Sequence, residues 1–120
     1  MPNILIVDDS STMRKIITRS LRQAGFALDE VFEAGDGIEG LNALVANKVD
    51  LILSDINMPN MDGIEFVKAV RKKGCAVPIV MITTEGGEDI IHEAFSSGAN
   101  SSIRKPFTPE QLEEKLGGLL

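Results

Sequence analysis

The chain has 120 residues, 43% of them hydrophobic and 25% charged, which suits one globular domain with its own core. Twelve basic residues against eighteen acidic ones give a net charge of −6, and that balance speaks against non-specific binding to nucleic acid or anionic membrane. Cys75 is the single cysteine, so no internal disulfide can form, and the longest apolar run, residues 4–7, is far too short to cross a bilayer. The expectation is a monomeric domain over 1–120 in a reducing, cytoplasmic compartment.

Ile4, Leu5, Ile6 and Val7 form a short apolar run rich in β-branched residues. That is the pattern of a strand covered on both faces, as in a parallel sheet. Asp8 and Asp9 end it, and Ser10 or Ser11 can cap the next helix. On that helix Met13, Ile16, Ile17, Ser20, Leu21 and Ala24 recur at helical spacing, and Gly25 stops it. A weaker strand over 28–33 carries three acids and is expected at the sheet edge. Asp36 and Glu39 have the spacing of a capping box, with Ile38, Leu41, Leu44 and Val45 as the apolar stripe behind it.

Leu51, Ile52 and Leu53 read as a buried strand that runs directly into Asp55. Asn57, Pro59, Asn60 and Gly63 then break any regular pattern. Asp62 and Glu65 repeat the capping box, so Asp62 reads as a helix cap rather than a metal ligand, and Ile64, Val67 and Val70 face inward. An EF-hand reading of this stretch fails, because Pro59 and Asn60 stand where a ligand and a glycine are needed. Arg71, Lys72 and Lys73 close the helix and complement its negative end. Residues 78–82, PIVMI, form another buried strand with Thr83 and Thr84 at its end, and Gly86 and Gly87 predict a mobile loop. A short helix with Ile90, Ile91, Ala94 and Phe95 carries the only histidine, His92, which reads as a surface residue. Residues 100–104 read as a last strand, poor in bulk and so expected at an edge, followed by Lys105 and Pro106. Thr108, Pro109 and Gln111 open a final helix as a full capping box, with Leu112, Leu116 and Leu119 buried.

Strand then helix, five times, predicts an α/β fold: a flavodoxin-like, doubly wound five-stranded parallel sheet in the order 2-1-3-4-5. In that order the carboxyl ends of strands 1, 3, 4 and 5 share one sheet edge, where open α/β sheets bind ligands. They carry Asp8 and Asp9, Asp55, Thr83 and Lys105. Three close carboxylates repel and raise one another's pKa. Against one lysine they leave two negative charges, which one divalent cation neutralises, and oxygen-only donors favour Mg²⁺ or Mn²⁺. The chemistry expected is phosphoryl transfer, with Asp55 as nucleophile and Lys105 and Thr83 contacting the phosphoryl oxygens.

VDDS at 7–10, SDINMPNMDG at 54–63, MITTE at 81–85 and KPF at 105–107 resemble the receiver domain of two-component response regulators. The resemblance covers essentially the whole chain, and VDDSSTMRKII, NMPNMDG and LEEKL look most like the family's stand-alone chemotaxis regulators. It implies that Asp55 accepts phosphate from a sensor histidine kinase, and that the chain assists its own phosphorylation and dephosphorylation without being an enzyme in the ordinary sense. It implies Mg²⁺ held by Asp9 directly, Asp8 largely through water, Asp55, and the Asn57 backbone carbonyl. The Asn57 side chain and Glu85 would modulate dephosphorylation. The Lys105–Pro106 bond is cis in much of the family. Output would pass to another protein through the fourth helix, fifth strand and fifth helix. The family's switch aromatic falls at Ser102 here, so signalling is expected to run through Thr83 and the Gly86–Gly87 loop as a population shift. Alternatives are a receiver cut from a larger regulator or hybrid kinase, a Mg²⁺-dependent aspartyl-phosphate phosphotransferase or phosphatase, and a non-phosphorylated binding module. Against the phosphatase, the residue two after the nucleophile is Asn57, where the dehalogenase-type enzymes need Asp.

Overall fold

The computed structural model describes residues 1–84 and 87–120. Five strands and five helices alternate: β1 (Ile4–Val7), α1 (Ser11–Gln23), β2 (Val31–Ala34), α2 (Gly37–Ala46), β3 (Leu51–Ser54), α3 (Gly63–Lys72), β4 (Ile79–Thr83), α4 (Glu88–Ser97), β5 (Ser101–Arg104) and α5 (Pro109–Leu116). All strand pairs are parallel and the order is β2-β1-β3-β4-β5, as the alternation requires. β1, β3 and β4 are buried along their whole length, which explains their unbroken apolar runs. The weaker strands, β2 and β5, are the two edges. No helix among the described residues is long and apolar enough to cross a membrane.

Successive strand residues point to opposite faces, so the core divides into two layers. Ile4, Ile6, Leu51, Leu53, Val80 and Ile82 pack against Ile17 and Leu21 of α1 and Leu112 and Leu116 of α5. Leu5, Val7, Ile52, Ile79 and Met81 pack on the other side against Phe66, Val67 and Val70 of α3 and Ala94 of α4.

Two predicted helix faces hold at their centres but not at their margins. Ile16 is largely exposed because Ile17 and Leu21 centre the buried stripe of α1, and Ile16 lies about 100° around the helix from Ile17. On α2, Ile38 and Val45 face solvent, while Gly37 and Gly40 are buried. A β-carbon on Gly40 would stand 2.8 Å from the Phe66 ring. The helix therefore approaches α3 along its glycines, and of the predicted stripe Leu41 and Leu44 pack on the core while Ile38 and Val45 do not. The Asp36 box is also incomplete. Asp36 accepts from Glu39 N–H at 2.9 Å, but the Glu39 carboxylate reaches Gly35 N–H at 3.1 Å instead of the cap residue. The boxes at Asp62–Glu65 and Thr108–Gln111 are complete, and Asp62 caps α3 as expected.

Candidate functional site at the carboxyl ends of the strands

The parallel register carries the chemistry-bearing residues to one edge. Val7 stands opposite Ser54, and the next residues, Asp8 and Asp55, leave β1 and β3 side by side. Asp55 N–H donates to the Val7 carbonyl at 2.9 Å, which keeps the two chains paired one residue beyond the strand. β5 delivers Lys105 to the same edge, where its N–H donates to the Thr83 carbonyl at 2.9 Å. Thr83 is the last residue of β4 and is buried. The Lys105–Pro106 peptide is cis.

At the centre, the Lys105 ammonium donates to Asp8 Oδ2 at 3.0 Å and to Asp55 Oδ2 at 3.3 Å. The Asp8 side chain is 2% exposed, that of Lys105 11% and that of Asp55 13%, so these are partly desolvated pairs rather than surface ones. The other Asp8 oxygen accepts from Ser10 N–H at 2.9 Å, and the other Asp55 oxygen accepts from Ile56 N–H at 2.7 Å. Both carboxylates are thus held at both oxygens. Burial pushes the Asp55 carboxyl above the ordinary range, and the Asp8 charge adds to this; Lys105 and the Ile56 N–H pull the other way without cancelling it.

Asp9 is exposed and completes the acidic group. One carboxylate oxygen from each of Asp8, Asp9 and Asp55 lies within 4.8 Å of the other two. Such an oxygen-only set, one member buried and one open to solvent, fits a hard divalent cation. Asn57 lies exposed on the loop after β3. Glu85 and Gly86, with the loop motion expected of Gly86–Gly87, fall outside the described residues. Ser102 is half-buried on β5 opposite Met81, one strand position short of the edge that carries the acids.

Several supporting groups escaped sequence reasoning. Gly63 N–H donates to the Ile56 carbonyl at 2.7 Å. A β-carbon on Gly63 would meet the Asp55 carbonyl oxygen at 2.1 Å, so α3 can start this close to Asp55 only from a glycine. Arg14 donates to the Asp8 backbone carbonyl and pairs with Glu33 at 2.8 Å. Asn60, at φ 65°, donates to Asp36 Oδ2 at 2.8 Å, tying the β3–α3 loop to the start of α2. That bond, with the Glu39 N–H, holds the Asp36 carboxyl below the ordinary range. The only signal for Asn60 was asparagine itself, which tolerates the left-handed region; its partner lies 24 residues away.

The Response regulator receiver domain family profile matches residues 4–117. Over 120 aligned residues the chain is 48% identical to the chemotaxis protein CheY homolog of Campylobacter jejuni subsp. jejuni (strain 81-176), covering 98% of this chain and 91% of that one. It is 46% identical over 116 residues to chemotaxis protein CheY1 of Helicobacter pylori, covering 94% and 92%. The solved structure of chemotaxis protein CheY4 of Vibrio cholerae superposes with a TM-score of 0.88 at 41% identity, covering 100% of this chain and 99% of that one. With the same sheet order, the acids and the lysine on one edge, and a match along almost its whole length, the chain belongs to the response regulator receiver domain family.

Proposed function

We propose that the protein is a two-component response regulator of CheY-like chemotaxis signalling, and that Asp55 is its phosphoacceptor. The observation that carries this reading is the Lys105 ammonium spanning Asp8 and Asp55 beside a third carboxylate. Asp55 Oδ attacks the phosphorus of a phosphohistidine on a sensor histidine kinase. The new O–P bond forms as the P–N bond breaks, and the imidazole leaves and takes up a proton. Lys105, already placed between the two carboxylates, neutralises charge on a phosphoryl oxygen, and the Thr83 hydroxyl donates to another. Mg²⁺, or Mn²⁺, held by Asp8, Asp9, Asp55 and the Asn57 carbonyl, supplies charge neutralisation when bound. Water later cleaves the acyl phosphate, at a rate tuned by Asn57 and Glu85. The chain is a phosphoacceptor, not a multiple-turnover enzyme.

Output passes to a protein partner through α4, β5 and α5. Ser102 makes this switch one without the bulky aromatic, so phosphorylation acts through Thr83 and the β4–α4 loop. The protein acts as a cytoplasmic monomer. The test is intact mass after incubation with acetyl phosphate, with and without Mg²⁺, beside Asp55→Asn. A Mg²⁺-dependent gain of one phosphoryl group, absent in the variant, is the expected result. An equal gain in Asp55→Asn, or sustained turnover of a phosphomonoester, would overturn the reading.

A further inference from the structure

The face formed by α1 and β2 lies at the sheet edge opposite β5. It is cationic in a chain whose net charge is −6. Lys15, Arg19 and Arg22 are exposed at i, i+4 and i+7 on α1. With Thr18, Val31 and Glu33 they line a groove of about 590 Å³. The one acid in the groove, Glu33, is already paired with Arg14. With the exposed acids before β2, Asp29 and Glu30, included, this edge carries four cations against three acids, where the whole chain carries 12 against 18. Arg22 sits in the last turn of α1 and complements the helix end. That explanation does not reach Lys15 or Arg19, in the middle of the helix.

The strand beside this stripe has a free edge. Ile4 N–H donates to the Glu30 carbonyl and Asp8 N–H to the Ala34 carbonyl. The even-numbered residues of this stretch therefore face β1, and the backbone N–H and C=O of Val31 and Glu33 point off the sheet. Shortness and a charged residue blunt β2 against indiscriminate pairing. They do not account for the cationic stripe running alongside.

We propose that β2 accepts an extended acidic segment of another protein as a sixth strand, with the acids of that segment on Lys15, Arg19 and Arg22. The spacings agree. The cations rise about 6 Å and then about 4.5 Å along α1, and same-face side chains on a strand recur roughly every 6.7 Å. Acids at alternate positions of the segment thus meet the stripe while its backbone pairs with Val31 and Glu33. A nucleic acid fits less well, because its backbone cannot pair with the outward N–H and C=O groups of Val31 and Glu33 as an added strand does. The surface adjoins the Asp55 site through the Arg14–Glu33 pair and lies at the sheet edge opposite β5.

The experiment titrates the isotope-labelled full chain with a short peptide alternating glutamate and threonine. It reads amide shifts together with hydrogen exchange at Val31 and Glu33. The expected result is shift changes confined to α1 and β2, and exchange at those two amides slowed about tenfold or more at saturation. Binding should weaken with added salt. Lys15→Glu/Arg19→Glu should weaken it roughly tenfold or more while the Asp55 phosphoryl gain is unchanged. A peptide N-methylated at the amides facing β2 tests the same pairing on the wild-type chain, should the double variant not fold; it should bind markedly less well. The proposal is overturned by no change at α1 and β2, or by changes there without slowed exchange at Val31 and Glu33. Equal binding of a lysine–threonine peptide overturns it too, as does stronger protection of the same amides by a short RNA or by anionic vesicles.

Discussion

Two aspartates in this chain are perturbed in opposite directions, and their variants should show it. Asp55 holds its proton more tightly folded than unfolded, because burial outweighs the pull of Lys105. Its ionisation therefore costs stability, beginning as pH rises past the unfolded value of about 4. Asp55→Asn removes that cost. In metal-free buffer near neutral pH it should melt a few degrees above wild type, with the gap closing toward about pH 4. Asp36 is the reverse. Its proton is held less tightly in the fold, because Asn60 and the Glu39 N–H favour the carboxylate. The stability it contributes is fully present above about pH 4 and is lost as pH falls through its lowered folded value. Asp36→Asn should melt below wild type at neutral pH and converge with it in acid. Thermal midpoints across the acid-to-neutral range check both, and two curves of the same slope would contradict the assignments.

At the scale of elements, the alternation of strand and helix was legible because buried parallel strands have an unmistakable composition: ILIV, LIL and IVMI sit in polar surroundings. The edge positions of β2 and β5 were legible from their weaker patterns. What periodicity could not see was which side of α2 carries glycines, because that depends on Phe66 of another helix. Arg71 is a second case. Reading it with Lys72 and Lys73 as a complement to a helix end understated it. Its guanidinium donates to the carbonyls of Gly98 at 3.1 and 2.9 Å, Cys75 at 2.8 Å and Val77 at 2.8 Å, and to Asn100 Oδ1 at 2.9 Å. It joins the turn before β4 to the turn before β5. Arg71→Met keeps the stem and leaves the Gly98, Cys75 and Val77 carbonyls without this donor, while Asn100 Oδ1 still accepts from Ile79 N–H, so it should cost about 2–4 kcal/mol in urea unfolding. Lys72→Met should stay within roughly 0.5 kcal/mol of wild type. Gly63→Ala should be costly for a different reason. Its β-carbon meets the Asp55 carbonyl and, at 2.8 Å, the Ile56 Cα, both backbone, and no rotamer can clear them. A loss at or above about 3 kcal/mol is expected, with slower phosphorylation, because the displaced carbonyl belongs to Asp55. Gly118, with open space around it, is the control position.

At the scale of the molecule, the site exists only in the assembled sheet. Lys105 reaches Asp8 across 97 residues and Asp55 across 50. The sequence still announced it, since each partner directly follows a strand and the strand order brings those ends together. Three clustered carboxylates, two of them on the one ammonium, leave excess negative charge that Lys105 does not neutralise. A cation that binds it should stabilise the whole domain by mass action, about 2.7 kcal/mol at a hundredfold excess over its dissociation constant. Mg²⁺ should therefore raise the wild-type midpoint in a concentration-dependent way. Asp9→Asn, which alters an exposed carboxylate of the cluster and no buried contact, should lose most of that rise with little change in the metal-free midpoint. Asp55→Asn should lose most of it as well, yet start from a higher metal-free value. The two titration curves must then cross, wild type below the variant without Mg²⁺ and above it at saturation. If they run parallel, the cation is not bound by Asp55. If wild type starts above, the ionised Asp55 carboxylate is not a cost to the fold. A crossing is the outcome expected of a carboxylate kept at a cost to the fold so that metal and phosphoryl group can use it.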